Sequence, residues 1–456
     1  MITLINPSCN VETVRRLDFS TPPLGLAYLA SALREAGFRV KIVDNMVERL
    51  SIHELVKRVR NSFMVGITST TPTFSSALRL ARELKQALPD VHVVLGGVHV
   101  SFTPFSALKS GFVDSVCVGE GEHTIVEVAE KIESGKGLEG VKGIVYKDGG
   151  RVISNEGRGY IDDLDSLPFP AYDLLPMDRY RVIGRRLNYF PVITSRGCPF
   201  GCIYCSTSRF MGRRFRMRSA GNVVDEIEWL YDEFGARNIA FSDDTFTLDR
   251  NRVLEICREI RERGLDVSWS CSSRVDTVDE EMLREMKRAG CEMIYYGVES
   301  ASEDVLRFYR KRISLDKVRR AVELTKRHGM LAICSFILGA PVESRSDMMS
   351  TIDLALSLDP DYAQFSILTP YPGTEIYELA RKNGWLLTEN FDEYTAGKPV
   401  MKGEHVEPEE VMNLLKLAYR RFYLRPSFIL RNIRRKNFGV VAGVLRLFLR
   451  AKLGKV

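Results

Sequence analysis

Three cysteines stand at i, i+4 and i+7 in Arg196-Gly197-Cys198-Pro199-Phe200-Gly201-Cys202-Ile203-Tyr204-Cys205. Thiolates so close in sequence can converge on one inorganic core. Gly197, Pro199 and Gly201 keep the segment out of a helix and let its backbone wrap that core. A [4Fe–4S] cluster ordinarily takes four thiolates, so a motif supplying three leaves one iron open to a substrate or cofactor. The alternative is a zinc site, which needs a fourth ligand and usually shows paired cysteines. The other six cysteines, Cys9, Cys117, Cys257, Cys271, Cys291 and Cys334, lie in or beside apolar strand and helix patterns, where a free cysteine is a small buried hydrophobe. Cys198, Cys202 and Cys205 are therefore the expected metal ligands.

Asp243, Asp244 and Glu299 stand where strands are expected to end. A carboxylate there faces a barrel mouth and can meet an ammonium or a ribose diol through charge-assisted hydrogen bonds. N-capping of the next helix is the other reading for Asp243 and Asp244. Arg216 and Arg218 suit a ligand carboxylate, or belong with Arg213 and Arg214 to a solvated basic face.

These residues need elements to hold them. From residue 1 to 140, apolar runs at Met1–Ile5, Val40–Val43, Phe63–Thr68, Val91–Leu95 and Ser115–Val118 read as strands. Helical patterns at Leu24–Ala36, Ile52–Arg60, Phe74–Leu88 and His123–Ile132 separate them. Alternation of this kind gives a doubly wound parallel sheet, whose ligands sit beyond the carboxyl ends of the strands. Residues 141–188 read as a connector containing a hairpin at Gly143–Ile153 and the prolines 168, 170 and 176. Residues 189–403 alternate again. Strands at Pro191–Ser195, Asn238–Ser242, Val267–Ser272, Glu292–Val298, Leu331–Leu338 and Tyr362–Leu368 make six β/α units, a partial (β/α)6 barrel with its chemistry at the strands' C-terminal ends. Residues 404–456 form a basic helical tail with a break at Pro426.

The barrel stretch resembles the radical S-adenosylmethionine enzymes. The resemblance rests on the Cys-x3-Cys-x2-Cys spacing with Tyr204 before the last cysteine, on Ser242-Asp243-Asp244-Thr245, on Tyr296-Gly297-Val298-Glu299-Ser300, and on Leu338-Gly339-Ala340-Pro341 and Thr369-Pro370-Tyr371-Pro372-Gly373-Thr374. It implies that the open iron chelates S-adenosylmethionine and that reductive cleavage yields a 5′-deoxyadenosyl radical. It also implies that Asp243 and Asp244 contact the methionine amino group, Glu299 the ribose hydroxyls, and Arg218 the cofactor carboxylate.

The first domain is similar to the cobalamin-binding domain that precedes the barrel in one branch of that family. Pro23-Leu24-Gly25-Leu26, Gly96-Gly97-Val98-His99, Gly119-Glu120-Gly121-Glu122 and the connector Leu164-Asp165-Ser166-Leu167-Pro168-Phe169-Pro170-Ala171 carry the likeness. It implies that Leu24, Gly25, Ser69, Thr70, Gly96, Gly97, His99, Gly119, Glu120 and Gly121 surround cobalamin. The Asp-x-His-x-x-Gly string that ligates cobalt in many cobalamin proteins is absent. Asp90-Val91-His92 runs into a strand, so His92 reads as structural.

Composition bounds these readings. The chain has 456 residues, 45% of them hydrophobic and 27% charged, which suits a globular protein of two or three domains. Its N-terminus lacks a secretory pattern and no apolar run approaches the ~20 residues of a membrane span, so the expectation is a cytoplasmic enzyme. The net charge of +6 is uneven. Val411–Val456 holds twelve Lys and Arg and no acidic residue, which leaves 53 basic against 59 acidic residues elsewhere. That tail, with an apolar stripe at Val411, Leu414, Leu415, Ala418 and Phe422, can lie on an anionic membrane as a peripheral helix or pack on the barrel. Nucleic acid is disfavoured by the acidic body.

The leading reading is a cobalamin-dependent radical enzyme that methylates, or remodels the skeleton of, an apolar lipid, isoprenoid or tetrapyrrole-like substrate. An electron donor such as flavodoxin or ferredoxin completes it. RNA methylthiolation and a membrane-bound scaffold with a structural cluster are the alternatives. The first calls for more N-terminal cysteines than Cys9 and Cys117, and the second for no open iron.

Overall fold

Five strands, β1 (Ile2–Asn6), β2 (Val40–Asp44), β3 (Met64–Thr68), β4 (His92–Gly96) and β5 (Ser115–Cys117), run parallel in the order β2-β1-β3-β4-β5. Each is a short apolar run, as parallel strands covered on both faces must be. The computed structural model describes residues 1–9, 20–182, 185–186, 189–439 and 443, and these fall into two units. The first takes in Met1–Asp244, Pro370–Lys382 and Thr388–Thr395; the second Thr245–Thr369, Asn383–Leu387 and Ala396–Val456.

In the first unit, one sheet face packs Ile5, Ile67, Leu95 and Val116 against Leu55, Val59, Ala77, Leu80 and Leu84. Those come from the helices Ile52–Val59 and Phe74–Ala87, whose apolar residues recur at helical spacing. The helices Leu24–Glu35 and Glu122–Glu133 pack together. Strand order reverses at β1, placing a topological switch point between β1 and β3. The hairpin assigned by sequence to the connector extends this sheet instead. Strands β6 (Ile144–Asp148) and β7 (Arg151–Ser154) add antiparallel beyond β5, through Val116↔Val145 and Tyr146↔Ile153. Short β5 would otherwise be an open edge.

Further pairings build the rest of that unit and the next. Two-residue strands β8 (Arg181–Val182) and β9 (Arg185–Arg186) form an antiparallel pair. Strand β10 (Phe190–Val192) precedes β11 (Ser195–Arg196) and β12 (Arg216–Met217), which pair antiparallel. β10 also pairs in parallel with β13 (Asn238–Phe241). In the second unit, β14 (Ser268–Ser273), β15 (Cys291–Glu299), β16 (Leu331–Leu338) and β17 (Tyr362–Ile367) run parallel in that order. All six strands expected of the barrel stretch are thus present. The helices Arg250–Glu262, Glu280–Arg288, Leu315–Arg327 and Arg345–Leu358 intervene, each N-capped by an Asp or Ser side chain: Asp249, Asp279, Ser314 and Ser344.

The tail departs from a membrane-facing arrangement over its first helix. Pro408–Tyr423 buries Val411, Leu414, Leu415, Ala418 and Phe422, so the stripe expected to enter a bilayer is already covered by protein. Tyr419 Oη donates to Phe365 O at 2.8 Å and accepts from Phe365 N at 3.2 Å. Tyr423 Oη does the same for Ala363, at 2.6 Å and 3.2 Å. The two phenols stand where another strand would otherwise hydrogen-bond to β17. Pro426 begins a second helix, Pro426–Arg434. Its cations are engaged in part: Arg425 and Arg431 with Asp359, and Arg435 with Asp361 at 2.6 Å. The expected continuation Val440–Leu453, with Arg446, Arg450 and Lys452, lies outside the described residues, apart from Gly443.

Candidate active site

The cysteine loop is closed at its neck by the β11–β12 pairing, where Arg196 stands opposite Arg216. Gly197 begins the loop at φ 88°, and a Cβ there would sit 2.2 Å from Arg214 O, so no other residue fits without moving the backbone. Cys198 N donates to Gly212 O at 3.1 Å, and Cys205 N to Cys202 O at 3.2 Å. All three thiols are free and half-buried. Burial pushes the Cys198 and Cys205 thiols up, and the neighbouring thiols and Asp244 add to it. The three thiols and Asp244 are thus near enough to influence one another's charge. Among the described residues, no three His, Cys, Asp or Glu side chains are spaced for a single metal ion. Three soft donors this near one another fit a larger iron–sulfur core, which would hold them as thiolates.

Asp243 and Asp244 are not helix caps, since Asp249 takes that place. Buried Asp243 accepts from Thr194 N at 2.7 Å, Thr194 Oγ1 at 2.5 Å and Ser195 Oγ at 2.6 Å. It ties the end of β13 to the chain entering the cysteine loop. Asp244 keeps its side chain accessible. Surrounding protein raises its pKa, Thr207 lowers it and Asp243 raises it again. Arg216 and Arg218 do not offer themselves to a ligand carboxylate. Arg218 is held by Glu226, Asn222 Oδ1 at 2.6 Å and Ile193 O at 3.0 Å. Arg216 is held by Glu120 and by Ile161 O at 2.6 Å.

In the second unit, Glu299 ends β15 with φ 72°. Its Oε1 accepts from Lys311 Nζ at 2.9 Å and its Oε2 from Ser335 Oγ at 3.3 Å. A Cβ on Gly297 would lie 2.5 Å from Glu299 Oε1 and 2.7 Å from Lys311 Nζ, so glycine makes room for this pair. Sequence reasoning passed over Lys311. Its signal was weak, one basic residue among three in Arg310-Lys311-Arg312.

Back in the first unit, a cavity of about 200 Å³ opens at the carboxyl ends of the strands. Its floor is Leu4, Gly66 and Val94, cross-strand neighbours on one face of the sheet. A Cβ on Gly66 would come 2.8 Å from Leu4 Cδ2; a strand-interior glycine marks close approach. Of the residues expected around cobalamin, Gly25, Gly96, Gly97, Glu120, Gly119 and Gly121 line this cavity, whereas Leu24, Ser69, Thr70 and His99 do not. Leu24 and Ser69 are buried. Thr70 bonds to Thr73. His99 Nδ1 bonds to Thr71 Oγ1 at 3.1 Å, its ring lies 4.2 Å from Phe74 and 4.7 Å from Phe391, and burial pulls its pKa to about 4. It is a neutral packing residue. His92 is structural, as read from sequence, with Nε2 2.8 Å from Ser115 Oγ. Thr68, from the expected strand-end loop, lines the cavity, and Cys117 and Arg196 join its wall unforeseen. A slot floored by glycine at the switch point fits the insertion of a flat or extended cofactor moiety.

Comparison with known proteins agrees with this architecture. The B12 binding domain model matches residues 13–129, and the Radical SAM superfamily model residues 192–355. An uncharacterized methyltransferase of Pyrococcus horikoshii is 41% identical, covering 98% of this chain and 98% of that protein. An anaerobic magnesium-protoporphyrin IX monomethyl ester cyclase of Rubrivivax gelatinosus is 30% identical over 90% of this chain and 75% of its own length. Among solved structures, the radical S-adenosylmethionine methyltransferase TsrM of Kitasatospora setae, with cobalamin and a [4Fe–4S] cluster bound, superposes with TM-score 0.73 at 20% identity, covering 93% of this chain and 89% of that one; it shows the same fold. The chain belongs to the radical S-adenosylmethionine enzymes that carry a cobalamin-binding domain, and it is a methyltransferase or cyclase of that family, with a [4Fe–4S] cluster, S-adenosylmethionine and cobalamin as cofactors.

Proposed function

We propose that the enzyme methylates, or closes a ring at, an unactivated carbon of an apolar, tetrapyrrole- or lipid-like substrate. The observation that carries this reading is the half-buried face of the second unit's sheet. Ser270, Ser272 and Ser335 are small residues there, and Met293, Tyr295, Ile333 and Ile337 supply apolar surface. Small residues beside long apolar ones suit a bulky ligand held by contact area rather than by charge. The magnesium-protoporphyrin ester cyclase of Rubrivivax gelatinosus, similar along most of the chain, lends the substrate class support.

When bound, the cluster with S-adenosylmethionine supplies a 5′-deoxyadenosyl radical, and cobalamin a transferable methyl group. The chain's own residues do the rest. Cys198, Cys202 and Cys205 would hold the cluster through three thiolates. Asp243 fixes the strand that leads into their loop, and Asp244, near the same thiols, is an acceptor for an ammonium. Lys311 and Ser335 orient Glu299 at a strand end, where its carboxylate can accept from sugar hydroxyls. The apolar sheet face excludes water from a reactive carbon. No side chain is required as acid or base. A one-electron donor such as flavodoxin or ferredoxin supplies the reducing equivalent.

The test is anaerobic turnover of reconstituted protein with S-adenosylmethionine deuterated on its methyl group and organic-soluble extracts of lipids and tetrapyrroles. Production of 5′-deoxyadenosine with a new organic-soluble product, deuterated for methyl transfer and unlabelled for ring closure, supports the reading, and new products confined to the water-soluble fraction reject it. Peripheral membrane docking belongs to the same proposal, on the strength of Leu430, Ile433 and Phe438, 53%, 42% and 61% exposed beside Arg434 and Lys436. Sedimentation with anionic liposomes should fall on Leu430→Glu with Phe438→Glu; equal partitioning rejects docking.

A further inference from the structure

Glu120 lies in the turn after β5 that lines the cavity, and its carboxylate is spent on the cysteine loop. Oε1 accepts from Arg196 Nη1 at 3.0 Å and from Arg216 Nη1 at 2.9 Å; Oε2 accepts from Arg216 Nη1 at 2.9 Å and from Ile161 N at 2.7 Å. Glu122, at the first position of the following helix, takes Arg196 Nη2 at 2.6 Å. Side-chain exposure is 6% for Arg196, 1% for Arg216, 2% for Glu120 and 7% for Glu122.

The two arginines are cross-strand partners at the neck of the loop that carries Cys198, Cys202 and Cys205. One carboxylate from the cavity turn therefore grips both sides of that neck. Burying four charges brings little net stability over an apolar core, but it fixes geometry. The Arg196 fork has one orientation that meets both Glu120 and Glu122, and Arg216 meets both Glu120 oxygens through Nη1 while its Nη2 donates to Met211 O. Gly119, Glu120, Gly121 and Glu122 all line the cavity, so a ligand filling it bears directly on the segment that holds Glu120.

We propose that Glu120, Arg196 and Arg216 are positioning residues that couple occupancy of the cavity to the geometry of the cysteine loop, so that corrinoid and cluster each strengthen the binding of the other. The proposal rests on assigning the cavity to the corrinoid and not on the substrate reading. Linkage requires the effect to be reciprocal.

The test compares hydroxocobalamin affinity, by anaerobic absorbance titration, for cluster-free and cluster-loaded full-length protein. The wild type should bind at least about fivefold more tightly when loaded. In Glu120→Gln the ratio should fall toward one, and in Arg196→Lys, which keeps charge but loses the fork, it should fall part of the way. The electron paramagnetic resonance spectrum of the reduced cluster should shift on adding corrinoid to wild type and not to Glu120→Gln. If Glu120→Gln does not fold, Glu122→Gln removes one of the two carboxylates on Arg196 and should lower the ratio. A wild-type ratio of one overturns the proposal, as does an undiminished ratio in folded Glu120→Gln. Corrinoid binding unaffected by Gly66→Leu, which fills the cavity, would remove the cavity assignment and the coupling with it. Binding lost in Gly66→Leu but uncoupled in wild type would overturn the coupling alone.

Discussion

Lys311 reaches Glu299 from a turn in which both flanking residues, Arg310 and Arg312, adopt left-handed backbone at φ 54° and 51°. Non-glycine residues pay for that conformation, and here two of them direct one lysine inward, at 8% side-chain exposure. Lys311→Met leaves a buried carboxylate without its cation and should destabilise the protein by about 3–5 kcal/mol. Lys311→Arg should recover part of that loss. The sharper readout is S-adenosylmethionine binding by equilibrium dialysis. Affinity should fall roughly tenfold or more in Lys311→Met, with lost discrimination against a 2′-deoxyribose analogue. Preserved discrimination would remove Glu299 from ribose recognition.

Changing Cys198, Cys202 and Cys205 together to Ala should abolish bound iron and sulfide and with them 5′-deoxyadenosine formation. Cys257→Ala and Cys271→Ala should keep both, because these thiols are wholly buried in the second unit. Iron retained by the triple variant would reassign the cluster.

Glu343 is buried with Oε2 accepting from Gly339 N at 2.7 Å and Ala340 N at 3.0 Å, and burial pushes its pKa from 4.5 to about 8. The folded chain therefore holds a proton that the unfolded chain has released, and this contribution is lost as pH rises from about 4.5 through 8. His92 and His99, lowered to about 4 from 6.5, act in the opposite sense but only below 6.5. Between pH 6.5 and 8, thermal stability should fall with rising pH, and Glu343→Gln should flatten that slope. An equal slope in the variant would show that Glu343 is not the group responsible.

Tyr419→Phe and Tyr423→Phe each remove a hydroxyl that serves both an N–H and a C=O of β17. Each should cost about 1 kcal/mol, and the double variant should aggregate on mild heating, as an uncovered strand edge does. Light scattering during a thermal ramp measures it.

Period-two and helical patterns made nearly every long element legible, because each is decided by its own apolar residues. The strand Leu331–Leu338 has the bounds read from sequence. Helices of four to six residues, such as Val98–Phe102 and Thr207–Phe210, are too short to show a period. Partners far apart in the chain were not legible at all. Arg218 pairs with Glu226 in the same helical neighbourhood, but Arg216 meets a carboxylate 96 positions away, and nothing local distinguishes it from the exposed Arg213 and Arg214. His99 was misplaced for the same reason: Phe391, which stands against its ring, is far along the chain.

The phenols that cover β17 lie 54 and 60 positions beyond the residues they touch. A ribosome adding ~5–20 residues each second makes the strand several seconds before it makes the helix. Throughout that interval the nascent sheet offers unpaired amide and carbonyl groups to any extended chain nearby. A transcript stopped ahead of Tyr419 would thus encode every cofactor ligand named above and still yield a product prone to precipitate. Recovery of soluble enzyme from truncated or slowly translated messages should therefore depend on shielding of the polypeptide during translation as well as on cofactor supply.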